Sequence, residues 1–143
     1  MDTSLVWEKD LRFEGNNTDG STVLLDASIE HGGNGQGFSP LELILIGLTG
    51  CTAMDVKSIL EKKRQTITQF IIKAHAERAV DHPKVFTEIT LVFELEGPDV
   101  DPQAVKRAVE LSETKYCSAM AMLRKNSPIR IIIKLNQQIL REE

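Results

Sequence analysis

The chain is poor in cysteine. Only Cys51 and Cys117 carry thiols in 143 residues, and they lie 66 positions apart. No C-x-x-C occurs, which removes support for a thioredoxin-like redox motif. A zinc set is also missing, because a zinc site would need two further donors and His31, His75 and His82 show no ligand spacing with either cysteine. Metal is therefore not expected. Positive charge is in deficit: 17 Lys and Arg stand against 21 Asp and Glu, for a net charge of −4. An acidic surface suits neither nucleic acid nor an acidic membrane. The densest basic run, Lys62-Lys63-Arg64, falls at the end of a predicted helix, where it answers the helix dipole. Glycines spaced Gly33-x-Gly35-x-Gly37 form neither G-x-G-x-x-G nor a P-loop, and they read as a flexible loop rather than a nucleotide cradle. Met1-Asp2-Thr3-Ser4 lacks a basic start and no apolar h-region follows, so the expectation is a cytoplasmic protein. Repeats and low-complexity tracts are absent.

What is present is an ordinary globular composition, 41% hydrophobic and 27% charged, on a chain long enough for one core. A single domain over 1–143 is expected. Its organising stretch runs from Ser39 to Leu60. Ser39 suits an N-cap, Pro40 the first helical position, and Glu42 completes a capping box three residues after the serine. From Leu41 to Leu48 the helix is apolar nearly all round, so it should be wrapped by other structure on most sides. That run is far shorter than the roughly 20 apolar residues a membrane span needs. The sequence thus predicts a buried central helix carrying Cys51, hidden in a dimer interface.

Around it, Leu5-Val6-Trp7, Leu11-Arg12-Phe13 and Thr22–Leu25 read as short strands, with a turn at Asn16-Asn17-Thr18-Asp19-Gly20. Alternation predicts a strand from about Ile67 to Arg78. A second strand, Val85–Leu95, carries Val85, Thr87, Ile89, Leu91, Phe93 and Leu95 on one face and completes a hairpin around Asp81-His82-Pro83. Asp101 and Pro102 start another helix. The apolar stretch Cys117–Leu123 continues or restarts it, and Ile129–Leu135 is a last strand. The order β-β-β-α-β-β-α-β implies an α+β fold, antiparallel strands on one side and two helices on the other. On this reading the two thiols are buried small hydrophobes, metal ligands or working groups, and a permanent disulfide is the least expected option.

Ser39-Pro40-Leu41-Glu42-Leu43 through Gly50-Cys51, the hairpin that follows, and Glu113-Thr114-Lys115-Tyr116-Cys117-Ser118 together resemble the OsmC/Ohr family of osmotically induced and organic-hydroperoxide-resistance proteins. The order of elements matches along nearly the whole chain. The resemblance implies an intertwined homodimer, with antiparallel sheets wrapped around two central helices. It also implies a thiol-dependent peroxidase that reduces organic hydroperoxides at the dimer interface without metal or organic cofactor. Cys51 looks like the peroxidatic thiol and Cys117 the resolving one. A thiolate attacks the terminal peroxide oxygen, an alcohol leaves, and the resulting sulfenic acid condenses with the second thiol to a disulfide. An external dithiol then restores the pair, and the resemblance makes a lipoylated protein the implied partner.

The chain departs from the hydroperoxidase branch of that family, in which an N-terminal-strand arginine and a glutamate directly after the proline attend the thiol. Leu41 follows Pro40 here. Glu42 comes one place later, nine residues before Cys51, which at 100° per residue is about 180° around the helix; capping is its other expected role. Arg12 is the nearest arginine by position, and Arg78, on a sheet strand, is the alternative. The rival expectation is a weakly catalytic or non-catalytic dimer that binds a small hydrophobic ligand at the interface pocket. A third is electron transfer through a reversible disulfide without peroxide.

Overall fold

The turn residues near the N-terminus pair three short strands in order. In the computed structural model, which describes residues 1–143, β1 (Thr3–Lys9), β2 (Arg12–Asn17) and β3 (Thr22–Leu25) form an antiparallel sheet in sequence order. Asn16 and Asn17 belong to β2 rather than to the turn. The Asn17 side chain still organises the reversal, its Oδ1 accepting the Asp19 and Ser21 N–H groups at 3.0 and 2.9 Å, as turn asparagines do.

The glycine-bearing loop after β3 is tied down by one carboxylate. Asp26, 3% exposed, accepts the N–H groups of Ala27, Asn34 and Gln36 at 2.8, 3.2 and 3.2 Å. Gly33 is needed because a Cβ there would stand 2.0 Å from the Ala27 carbonyl oxygen. These residues, the strands and the helix start form one compact unit, Met1–Leu45; Ile46–Glu143 form a second.

Helix α1 (Pro40–Lys62) runs on across that boundary for 23 residues. Its capping box closes as the sequence predicts: Ser39 N donates to Glu42 Oε2 at 2.7 Å and Glu42 N donates to Ser39 Oγ at 3.3 Å. One expectation is corrected. By length and composition alone this helix is long and apolar enough to cross a membrane, because it continues well past the Leu41–Leu48 run. One stripe is buried, Leu48, Thr52, Val56 and Leu60 at i, i+4 spacing, while Ile46 and Met54 are 46% and 75% exposed. An all-apolar helix does not disclose which stripe its own chain will cover.

In the second unit, β4 (Gln69–Arg78) and β5 (Phe86–Glu96) form the expected hairpin. A register irregularity between Glu77 and Arg78 inverts the start of β5, so Phe86 is buried and Val85 is 56% exposed. Helix α2 (Pro102–Leu111) opens on Asp101, whose side chain accepts the Gln103 N–H at 2.9 Å. A π-helical turn, Ser112–Tyr116, and a short helix α3 (Ser118–Leu123) follow. The chain then returns as β6 (Ile129–Leu135), and β7 (Gln138–Glu142) pairs antiparallel with it.

The sheet order is β4-β5-β6-β7, and β5 pairs with β6 in parallel. The sequence reading expected antiparallel pairing throughout. The helical crossover carries the chain back to the end where β5 began, so β6 must run beside it in the same sense. Strand β7 also escaped that reading, because Asn136 and Gln137 turn with left-handed φ of 48° and 67° and no glycine marks them. The core is the shared face of β5 and β6: Ile89, Leu91, Phe93 and Leu95 beside Ile131, Ile133 and Leu135, all at most 5% exposed. Buried stripes on α1 and α2 (Val105, Ala108, Val109) and Met120 of α3 complete it. Every buried side-chain polar atom has a partner; Ser127 Oγ, for one, donates to the Phe86 carbonyl at 2.7 Å and pins the chain before β6 to the start of β5.

Candidate active site

The two thiols meet. Cys51 sits in the middle of α1 and Cys117 where the π turn ends, 66 residues later, yet their sulfurs lie within 4.8 Å of each other. The local structure around Cys117 explains its placement. In the π turn the Cys117 N–H reaches back five residues to the Ser112 carbonyl at 2.9 Å, a widened turn of the kind that recurs at functional positions. Cys117 then adopts extended backbone and caps α3, its Sγ accepting the Met120 N–H at 3.3 Å. Glu113 in the same turn is gripped by Arg124 and Arg141, each at 2.8 Å, which fastens the turn to α3 and β7.

The environments of the two sulfurs differ. Cys51 is half-buried, and Cys117 is 3% exposed. Burial pushes the Cys117 thiol up to about 11, the neighbouring Cys51 thiol adds to the rise, and the Met120 N–H opposes it. A buried thiol held protonated is a poor first nucleophile.

A third group joins them. Asp55 stands one helical turn after Cys51 on the same face of α1, and a carboxylate oxygen lies within 4.8 Å of both sulfurs. Ser112, wholly buried, donates its Oγ to Asp55 Oδ2 at 2.9 Å and so locks α1 to the π turn. The sequence reading missed both residues. The i, i+4 spacing of Cys51 and Asp55 was the available signal, but no sequence pattern places Ser112 beside them. A groove of about 390 Å³ opens beside Asp55, lined by Ile59, Lys62, Leu111 and Tyr116.

Of the other predicted site residues, Glu42 is engaged in its capping box. Arg12, on β2, donates to Glu8 at 2.7 Å and to Gln36 at 2.6 Å. Arg78 Nε donates to the Lys84 carbonyl at 3.0 Å, closing the β4–β5 hairpin.

Residues 33–132 match the family described as OsmC-like protein. The chain is 40% identical over 125 residues to Protein YhfA of Escherichia coli strain K12, covering 87% of this chain and 90% of that protein. Among solved structures, a hypothetical protein from Aquifex aeolicus VF5 is similar at a TM-score of 0.83 and 29% identity, over 94% of this chain and 95% of that one. An organic hydroperoxide resistance protein from Elizabethkingia anophelis shares the fold at a TM-score of 0.69 and 12% identity, over 94% of each chain. Two sheets and three helices agree with these likenesses, and the chain belongs to the OsmC family.

Proposed function

We propose that the protein is a thiol-dependent peroxidase that reduces organic hydroperoxides with Cys51 as the attacking and Cys117 as the resolving thiol. The observation that carries this reading is the meeting of two thiols of unequal exposure, with the more accessible one in the middle of a helix. A disulfide has sulfurs about 2.05 Å apart, so the pair must close by under about 3 Å. The Cys51 thiolate attacks the terminal oxygen, the O–O bond breaks, and the alkoxide leaves as an alcohol after taking a proton. Sulfenic acid on Cys51 then condenses with the Cys117 thiol, releasing water. A dithiol of the lipoyl type reduces the disulfide by exchange; in a reducing cytoplasm both thiols return to the ready state. The groove beside Asp55, with apolar walls at Ile59 and Leu111, offers room for a hydrophobic peroxide tail. The name carried by the Elizabethkingia relative is consistent with that substrate class.

The stoichiometry tests it. One equivalent of cumene hydroperoxide consumes both thiols per chain, read by intact mass and thiol titration, and dihydrolipoamide restores them. Survival of both thiols in excess peroxide overturns the reading and favours the rival, a weakly catalytic or non-catalytic dimer that binds a small hydrophobic ligand at its interface pocket.

The same proposal includes a homodimer built on α1. Its uncovered apolar positions, Ile46 and Met54, are what a second copy would bury, since large apolar faces on a lone surface are uncommon. Sedimentation is expected to give twice the chain mass of 16.0 kDa, and Met54→Glu to shift the population towards monomer. A monomeric wild type at micromolar concentration refutes it.

A further inference from the structure

We propose that Cys51, Asp55 and Cys117 form a three-donor site for a borderline-soft divalent cation, zinc being the natural occupant. Two sulfurs and a carboxylate oxygen already converge within 4.8 Å of one another. Around a tetrahedral zinc with bonds near 2.3 Å to sulfur, two thiolates stand about 3.8 Å apart, so the donors need only draw together by roughly an ångström. Cys51 and Asp55 share one helical face at i, i+4, a spacing that lets two side chains on one helix grip one ion.

The surroundings fit a ligand set. Ser112 Oγ donates to Asp55 Oδ2 at 2.9 Å, the outer-shell arrangement that orients ligating carboxylates. Ser112 is itself wholly buried, so the orienting bond is shielded from water. The donor types, two thiolates and one carboxylate, suit zinc or cobalt and not magnesium or calcium. Three protein donors leave a fourth position for water or an added ligand.

Binding is a proton exchange: two S–H bonds give their protons to solvent as two metal–sulfur bonds form. The metal-bound sulfurs are then withheld from electrophiles, and oxidation of the pair to a disulfide removes two of the three donors and expels the ion. Cation and oxidant therefore exclude each other at this site.

Cobalt(II) is the probe. Titrated anaerobically into the reduced full-length protein, it should bind at one ion per chain, with a thiolate-to-cobalt charge-transfer band and the intense visible bands of tetrahedral cobalt. Zinc should bleach both. Asp55→Asn, nearly isosteric, is expected to weaken binding at least ~10-fold, and Ser112→Ala by roughly 10-fold through the lost orienting bond. Cys117→Ser should abolish the charge-transfer intensity from its sulfur. Absence of the band in the reduced wild type overturns the site, whatever the variants do. An affinity unchanged in Asp55→Asn also overturns it, since a thiol pair alone is then the ligand. Because these readouts involve no peroxide, their failure and that of the peroxidase reading are separable.

Discussion

Cys51→Ser is expected to lower kcat/KM for cumene hydroperoxide by roughly a thousandfold or more, the scale on which removing a covalent nucleophile acts. Cys117 cannot stand in for the lost thiol. It is 3% exposed, and burial holds its thiol near 11, so at neutral pH only a minute fraction is thiolate and peroxide has little access to it. Cys117→Ser should behave differently. Its Cys51 still reacts once with peroxide, and the sulfenic acid persists or is over-oxidised because no resolving thiol is at hand. Steady-state kinetics with a dithiol reductant, paired with intact mass after a single exposure, separates the two variants. Retention of more than a tenth of wild-type activity in Cys51→Ser would falsify its assignment as the nucleophile.

Phe93→Ala is expected to destabilise the fold by about 3–5 kcal/mol, the cost of a large buried aromatic deleted from a core that cannot fully collapse. Phe93 is wholly buried on β5 between the β4 and β6 neighbours, and its ring stacks on Phe70 with centroids 6.5 Å apart. Such aromatic pairs add about 0.5–1.5 kcal/mol beyond their area. In a thermal melt the loss amounts to a fall of roughly 10 °C for a chain of this size. Val80→Ala, at a position 86% exposed, should move the midpoint by well under a quarter of that, as surface changes do. A Phe93→Ala midpoint within 3 °C of wild type, a bound set by the same scaling, contradicts the placement of the core on the β5–β6 face.

What the sequence disclosed follows the range of the interaction. Local chemistry was legible: the Ser39–Glu42 capping box and the Asp101 cap form with the partners their spacing implies. The β4–β5 hairpin was legible too, since alternation and a turn specify it within one segment. The parallel β5–β6 pairing was not, because its register is set by a helical crossover rather than by either strand's own pattern. The candidate site divides the same way. Cys51 and Cys117 were picked out through the family resemblance, and no spacing rule brings residues 66 apart into contact. Asp55 stood one turn from Cys51 but signalled nothing until Ser112, 57 residues away, was seen to hold it.

That long separation carries a thermodynamic consequence. A bond between the two sulfurs would close a loop of 66 residues holding the β4–β5 hairpin and all of α2. Loop-closure entropy of that size restricts the unfolded chain by about 4 kcal/mol. The cycle must close, so folding favours oxidation by the same amount: the native chain presents one thiol to the other about a thousandfold more effectively than the unfolded chain does. Redox state and conformational stability are thus two readings of one equilibrium. A reductant that opens the pair works against the architecture as well as against the sulfur–sulfur bond.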